Sequence, residues 1–251
     1  MDFKDKVALI TGASRGIGAS IAYDLASHNC NICINYNNSY KEANDLKEKI
    51  EKDFKVKVLI IKADITKEEE IINMVGKVIQ EFSKIDILIN NAGIAIDSTI
   101  EDKNKDNFHK IIDTNLIGPF LISRKVAKYM IDNKNGTIIN VASTNGIDAY
   151  YSYSLDYDAS KAGLISLTHN LSEMYAPFIR VNAVAPGWVN TDMNKELDDD
   201  YIKEEEKNIY LNRFANPNEI AKVVTFLASQ DASYINNEVI RVDGGTHHAW
   251  I

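Results

Sequence analysis

Apolar residues along this chain fall in short uniform runs, separated by longer stretches of mixed polarity. The first run, Val7-Ala8-Leu9-Ile10, lacks the alternation of a half-exposed strand. It reads as a strand buried on both faces of a parallel sheet. Ile17, Ile21 and Leu25 then keep helical spacing. The alternation continues with Ile32-Cys33-Ile34, a polar helix from about Tyr40 to Lys52, a run over Val56–Ile61, a charged helix over 67–82, and Ile85–Ile89. The second half predicts a long helix from Lys103 to Asn133, interrupted near Gly118-Pro119 because proline disfavours helix at the residue before it. Thr137–Val141 reads as a strand, 156–175 as a helix, Ile179–Val184 as a strand, Asn218–Ser229 as a helix and Glu238–Val242 as a last strand. Residues 188–212 are the least sheet-like part; an acidic helical stretch after a strand end predicts a lid. Strands and helices alternating at this interval make βαβ units with right-handed crossovers. The fold class expected is α/β: one Rossmann-type doubly wound parallel sheet of about seven strands, helices on both faces, in a single domain over 1–251.

Composition narrows the function. A net charge of −8, with lysines scattered rather than striped, argues against a nucleic-acid partner. No apolar stretch reaches the roughly 18–20 residues of a membrane span. The first residues lack the apolar core of a signal peptide, so no membrane partner and a cytoplasmic location are expected. Cys30 and Cys33 form a Cys-x-x-Cys pair, but beside and within a core strand they read as small apolar residues rather than a redox couple. Of the histidines, only His247-His248 are neighbours, and adjacent residues of an extended tail point apart; no metal site is expected.

The candidate chemistry lies at strand ends, where ligands of such sheets bind. Gly12, Gly16 and Gly18 follow the first strand as Gly-x-x-x-Gly-x-Gly. Glycines there let the backbone approach a pyrophosphate, and the following helix presents its N-terminal N–H groups and positive dipole. The end of the second strand reads Asn35-Tyr36-Asn37-Asn38-Ser39, without the carboxylate that usually meets the ribose hydroxyls of NAD. Arg15 in the glycine turn could hold a 2′-phosphate instead. NADP(H) is therefore the preferred cofactor, with NAD(H) as second choice. Asp64, after the third strand, is placed beside the adenine or else caps the next helix, a task for which Thr66 is equally suited.

Tyr157 and Lys161 stand at i and i+4 near the start of a predicted helix, on one face, with Cβ atoms about 5–6 Å apart. An ammonium so close predicts a phenol pKa below its reference of about 10, suited to general acid–base work. Tyr150, Tyr151 and Tyr153 have Ser154, Leu155 and Tyr157 at i+4, so Tyr157 alone of these has a cation there.

Thr11-Gly12-x-x-x-Gly16-x-Gly18, Asn90-Asn91-Ala92-Gly93, Asn115, Ser143, Tyr157-x-x-x-Lys161 and Pro186-Gly187 stand in the order and near the spacing of the short-chain dehydrogenases/reductases. The chain resembles this family throughout, to Asp243-Gly244-Gly245, and is most similar to its 3-oxoacyl-acyl-carrier-protein reductase branch. The resemblance implies that Tyr157 is the general acid or base, that Ser143 hydrogen-bonds the substrate oxygen, and that Lys161 lowers the Tyr157 pKa and holds the nicotinamide ribose. It also implies that Asn115 anchors a water for proton relay. The implied cofactor residues are Gly12, Ser14, Arg15, Gly16, Ile17 and Gly18; Tyr36 and Asn37; Asp64 and Ile65; Asn91, Ala92 and Gly93; Tyr157 and Lys161; and Pro186, Gly187, Val189 and Thr191.

The implied reaction is hydride transfer between NADP(H) and a ketone or secondary alcohol. Alternatives are a 3-oxoacyl thioester reductase, a dinucleotide-binding sensor without catalysis, and a structural subunit; an intact Tyr157, Lys161, Ser143 and Asn115 argue against a pure binder. A homotetramer is implied, with the helices of 103–133 and 156–175 between subunits and the tail Thr246–Ile251 near an interface. Carrier-protein reductases present basic residues beside the cleft. Here one such position carries Lys134 and the other Phe178. Asp198-Asp199-Asp200 and Glu204-Glu205-Glu206 add an acidic rim. A small free carbonyl or alcohol is thus favoured over a carrier-bound one. Tyr150, Tyr151, Tyr153 and Trp188 could wall its pocket or pack on loop and lid. Ser143 lies one residue further from Tyr157 than in many relatives, implying a longer loop beside that pocket.

Overall fold

The computed structural model describes residues 1–194 and 197–246. Seven strands form one parallel sheet: β1 (Val7–Ile10), β2 (Asn31–Tyr36), β3 (Val58–Lys62), β4 (Ile87–Asn90), β5 (Gly136–Val141), β6 (Ile179–Pro186) and β7 (Val239–Val242). Their order is β3-β2-β1-β4-β5-β6-β7, so the winding reverses between β1 and β4. That switch point opens a crevice at the carboxyl ends of the strands.

Alternating side chains feed two cores. On one face Ala8 and Ile10 of β1 and Ile32 and Ile34 of β2 pack against α1 (Gly16–Ser27), α2 (Tyr40–Asp53) and α8 (Pro217–Ala228), through Ile21, Ile50 and Val224. On the other, Leu9, Cys33, Leu88 and Ile138 meet α3 (Glu68–Phe82), α5 (Gly118–Asp132) and α6 (Leu155–Tyr175), through Val75, Val126 and Leu171. Both faces of β1, β4 and β5 are covered, which is why every residue of these strands is buried and most are apolar, without alternation.

The helix expected over 103–133 is divided. α4 (Lys105–Ile112) passes into a π-helical turn at Asp113–Ile117 and then α5. Gly118-Pro119 opens α5 instead of interrupting a helix. Proline is tolerated in a first helical turn. Gly118 is required by a neighbour, since a Cβ there would stand 2.9 Å from the Ile65 carbonyl oxygen. After β6 the chain makes a short turn at Asp192–Asn194 and then α7 (Asp199–Lys207), the helix of the expected lid. His247–Ile251, including the adjacent histidines and most of the tail assigned to an interface, lie outside the described residues. Among the described residues no helix is long and apolar enough to cross a membrane.

Candidate active site

The glycine turn is built to stay open. Gly12 has φ +60°, a left-handed conformation, and a Cβ there would lie 2.8 Å from the Ala92 Cα. At Gly18 a Cβ would stand 2.5 Å from the Asn91 Nδ2. The loop after β4 thus packs on the turn, and hydrogen bonds hold it there. Asn91 donates from Nδ2 to the carbonyls of Thr11 (2.9 Å) and Gly12 (3.1 Å), while the Thr11 hydroxyl accepts from the Asn91 and Ala92 N–H groups, both at 3.0 Å. From the other side the Gly12 N–H donates to the Asn35 Oδ1 at 3.3 Å. Asn35 and the side chain of Asn91 therefore position the turn. Arg15 is the extended N-cap residue of α1 and makes no side-chain cap, so the first-turn N–H groups beside Gly16 and Ile17 face the crevice without a side-chain partner. A left-handed turn followed by an uncapped helix start fits a dinucleotide pyrophosphate. Ser14 is half-buried in the same turn.

The other expected contacts close the crevice to different degrees. Thr191 folds over the turn, its Cγ2 being 3.6 Å from where a Cβ of Gly16 would lie. Gly187 donates its N–H to the Val242 carbonyl at 3.1 Å, and Val189 bridges to Ala215, which fixes the segment that leaves β6 at Pro186. Tyr36 is buried edge-on against Tyr40, whereas Asn37 is exposed. Arg15 is exposed and its Nε lies 4.0 Å from the Asp192 Oδ2, a loose ion pair across the mouth of the crevice. Asp64 accepts from the Thr66 N–H (3.0 Å) and hydroxyl (2.7 Å), so Thr66 is its partner rather than a rival cap. Ile65 is buried behind it.

Around Tyr157 the loop after β4, the π turn and α6 converge. Lys161 is buried and donates from Nζ to the Val141 carbonyl at 2.8 Å, with Nζ 5.5 Å from the centre of the Tyr157 ring. A Cβ on Gly93 would come within 3.5 Å of that Nζ and 3.4 Å of the Asn115 Oδ1. Asn115 is fully buried: its Oδ1 accepts from the Ile94 N–H at 2.9 Å, and its Nδ2 donates to the Ile94 carbonyl (2.9 Å) and the Ser160 hydroxyl (3.0 Å). Both of its amide hydrogens are thus engaged, while its Oδ1 keeps capacity for one further donor. Ser143 follows β5 and is buried, its Oγ meeting the Asn145 N–H at 3.2 Å.

One expectation is corrected. Burial pushes the half-buried Tyr157 phenol up to about 12, the Ser143 hydroxyl draws it down, and the charges of Asp158 and Asp97 raise it again. Lys161 does not bring it down. Its ammonium is turned to the Val141 carbonyl, and burial has lowered its own pKa to about 8. Helical spacing delivered proximity, but desolvation outweighs the expected attraction.

Several organising residues carried little or no sequence signal. Asp158 accepts from the Asn145 Nδ2 (2.7 Å), the Ser154 hydroxyl (3.1 Å) and the Tyr151 N–H (3.1 Å), tying the loop after β5 to α6. Lys103 pairs with the fully buried Asp156 at 2.7 Å across 53 residues, which no local pattern announces. Asn90 donates to the Asn140 Oδ1 at 2.8 Å, and this pair was findable, since β4 and β5 both end their apolar runs in Ile-Asn and pair in register there. Cys30 and Cys33 are buried and unpaired, their thiols pushed upward by burial, which leaves them unreactive. Among the described residues no group of His, Cys, Asp and Glu could hold a metal ion.

The strand order, the uncapped glycine turn and the side chains gathered at the switch point define a class, the nicotinamide-dinucleotide oxidoreductases of Rossmann type. Residues 12–247 match the family model described as enoyl-(acyl carrier protein) reductase, and the chain belongs to the short-chain dehydrogenase/reductase family. It is 39% identical over 244 residues to the 3-oxoacyl-(acyl-carrier-protein) reductase FabG of Staphylococcus epidermidis, covering 97% of this chain and 99% of that protein. The corresponding FabG of Staphylococcus aureus is 38% identical over 243 residues, covering 96% and 98%. Among solved structures, a short-chain dehydrogenase of Burkholderia cenocepacia in complex with NADP superposes with a TM-score of 0.91 at 29% identity, covering 98% of this chain and 99% of that one. A short-chain type dehydrogenase/reductase of Mycobacterium marinum gives 0.92 at 34%, covering 97% and 96%. The chain is thus an oxidoreductase that binds a nicotinamide dinucleotide and acts on CH–OH or keto groups.

Proposed function

We propose that this chain, one domain over 1–251, moves hydride between NADP(H) and a ketone or secondary alcohol, with Tyr157, Ser143, Lys161 and Asn115 at the reacting centre. The observation that carries this is the placement of Lys161 between Tyr157, Gly93 and Asn115, at the same carboxyl end of the sheet as the glycine turn. When bound, the nicotinamide supplies or takes the hydride. The Tyr157 hydroxyl gives its proton to the carbonyl oxygen in reduction and takes it back in oxidation. Ser143 hydrogen-bonds the same oxygen and stabilises the charge that grows there. Asn115 locks the π turn to α6, and Lys161 holds the ribose and a positive charge beside the phenol. The absence of an acid over Asn35–Ser39 and the presence of Arg15 support NADP(H) over NAD(H). By family resemblance the working form is a cytoplasmic homotetramer.

A second reading, a 3-oxoacyl thioester reductase, is favoured by the 39% identity to FabG over nearly the whole chain. Against a carrier-bound thioester stands Phe178, exposed where such reductases carry a basic residue. The acidic rim argues less strongly than the sequence suggests, because Asp200 and Glu204 pair with Lys203 (3.0 Å) and Lys207 (2.6 Å).

The test is a panel of ketones, alcohols and acetoacetyl thioesters assayed with NADPH and NADH in parallel, on the wild type and Tyr157→Phe. Tyr157→Phe should lose about 10²–10⁴-fold in turnover, the range of a positioned general acid, with dinucleotide affinity little changed. Retained turnover in that variant removes Tyr157 from the chemistry. Faster reduction of the carrier-bound thioester than of its CoA counterpart decides for the second reading.

A further inference from the structure

We infer that Asp158 is a positioning residue for Ser143, acting through the side chain of Asn145. The inference rests on Ser143 and Tyr157 being the reacting pair of the proposed oxidoreductase.

Ser143 is the N-cap of a short 3₁₀ turn over Thr144–Gly146. Its Oγ accepts from the Asn145 N–H at 3.2 Å and donates to the Asn145 Oδ1 at 3.3 Å. Which end of that amide meets the serine is not left to chance. A carboxylate only accepts hydrogen bonds, and the Asp158 Oδ1 takes one from the Asn145 Nδ2 at 2.7 Å. The NH₂ end is thereby held by Asp158, and the oxygen end is turned to Ser143. Turned over, the same amide would offer the serine a donor where it now offers an acceptor. The bond to Asp158 is short and charge-assisted, whereas both bonds at Ser143 are long. The amide is therefore fixed firmly and the hydroxyl loosely. A carbonyl oxygen arriving beside Ser143 can draw its hydrogen away from Asn145 at little cost, with Oγ already in place.

The geometry around this link has little slack. Asp158 directly follows Tyr157 on α6, so the first turns of one helix carry the phenol and, through a carboxylate, set the serine. The 3₁₀ turn is pressed against the same helix: a Cβ on Gly146 would stand 2.6 Å from the Lys161 carbonyl carbon. Asp158 also accepts from the Ser154 hydroxyl and the Tyr151 N–H, both at 3.1 Å. Those two bonds anchor the far side of the loop after β5 and involve neither Asn145 nor Ser143. They separate the anchoring of the loop from the orientation of the serine.

The test compares Asp158→Ala, Asn145→Ala, their double variant and Ser154→Ala, using NADPH and every ketone of the panel, acetoacetyl-CoA included. Asp158→Ala and Asn145→Ala should each lower kcat by about 10- to 100-fold, up to the cost of an ångström-scale misplacement, with the Kd for NADPH little changed. The double variant should be about as slow as the slower single one, since residues acting in one chain do not add. Ser154→Ala should turn over as the wild type does. Hydrogen exchange of the peptide carrying the Tyr151 amide should quicken in Asp158→Ala whether or not turnover is seen. Wild-type kcat in either alanine variant, losses that multiply in the double variant, or an equal loss in Ser154→Ala overturns the inference and leaves the oxidoreductase reading intact. A wild type that binds NADPH and shows the exchange difference, yet reduces no ketone of the panel, overturns that reading instead, and with it the role given to Ser143.

Discussion

Lys161 holds an ammonium where the fold would rather have none, and replacing it by methionine turns that into a measurement. Its side chain is buried, with a relative exposure of 4%. Burial lowers its pKa from 10.5 to about 8. Each unit is worth about 1.36 kcal/mol, so keeping this lysine charged near neutrality costs the folded state about 3 kcal/mol. Methionine is of similar length and has no charge to desolvate. It also loses the 2.8 Å bond to the Val141 carbonyl, which subtracts about 1 kcal/mol. Lys161→Met should therefore be more stable than wild type by about 2 kcal/mol at pH 7, a rise in Tm of about 4–8 °C for a domain of this size, and inactive. The sign reverses with pH. Between about pH 8 and 10.5 the unfolded chain binds the Lys161 proton and the folded one does not, so wild-type stability climbs relative to the variant. Above that window only the lost hydrogen bond remains, and the gap should cross zero near about pH 10. Urea unfolding of both proteins without cofactor, at fixed concentration and at several pH values, reads this directly. A variant less stable at pH 7, or a gap that does not move with pH, would refute the argument.

Arg15→Ala should weaken NADPH by about 10- to 100-fold, the worth of a charge-assisted hydrogen bond to phosphate, and NADH hardly at all. Equal losses, by fluorescence titration, would remove the 2′-phosphate assignment. Gly12→Ala combines a positive φ, about 1–2 kcal/mol, with a Cβ 2.8 Å from the Ala92 Cα, about 1–3 kcal/mol of overpacking. Loss of dinucleotide binding and a lower melting temperature are expected, and an unchanged melt would show that the turn yields. A Tyr157 phenol pushed up to about 12 is protonated at neutral pH, so alcohol oxidation should rise with pH while ketone reduction stays nearly flat through neutrality. Oxidation rates independent of pH down to about pH 6 would mean that the phenol is already ionised when the substrate is bound.

The sheet was legible because its central strands are buried on both faces and so appear as mostly apolar runs without alternation, which solvent-facing strands do not. The edges of those runs were not. Ile85 is buried yet precedes β4, and Val56 precedes β3, because burial marks a residue as apolar without saying whether its N–H enters a ladder. The π turn at Asp113–Ile117 was invisible, since its hydrogen-bond register leaves no trace in periodicity over five residues. Candidate residues close in sequence, such as Tyr157 and Lys161, came out as neighbours. Long-range partners such as Lys103 and Asp156 did not, because their meeting depends on how the loop after β4 crosses α6.

The direction in which the Lys161 ammonium points is the deeper lesson of the site. Proximity at i and i+4 was correctly read, but attraction between two groups is useful only if it exceeds what burial takes from each. Here burial moves both groups toward their neutral forms, the phenol up to about 12 and the ammonium down to about 8. Asp97 and Asp158 widen the separation by opposing a phenolate. The free protein is thus held as a weak acid beside a partly disarmed cation. Only a further positive charge, or donors that replace lost solvation, can draw the phenol toward neutrality. The crevice beside Gly93, close to the Lys161 Nζ and the Asn115 Oδ1, is where such a group must arrive. Reactivity is therefore conditional on occupancy of that crevice.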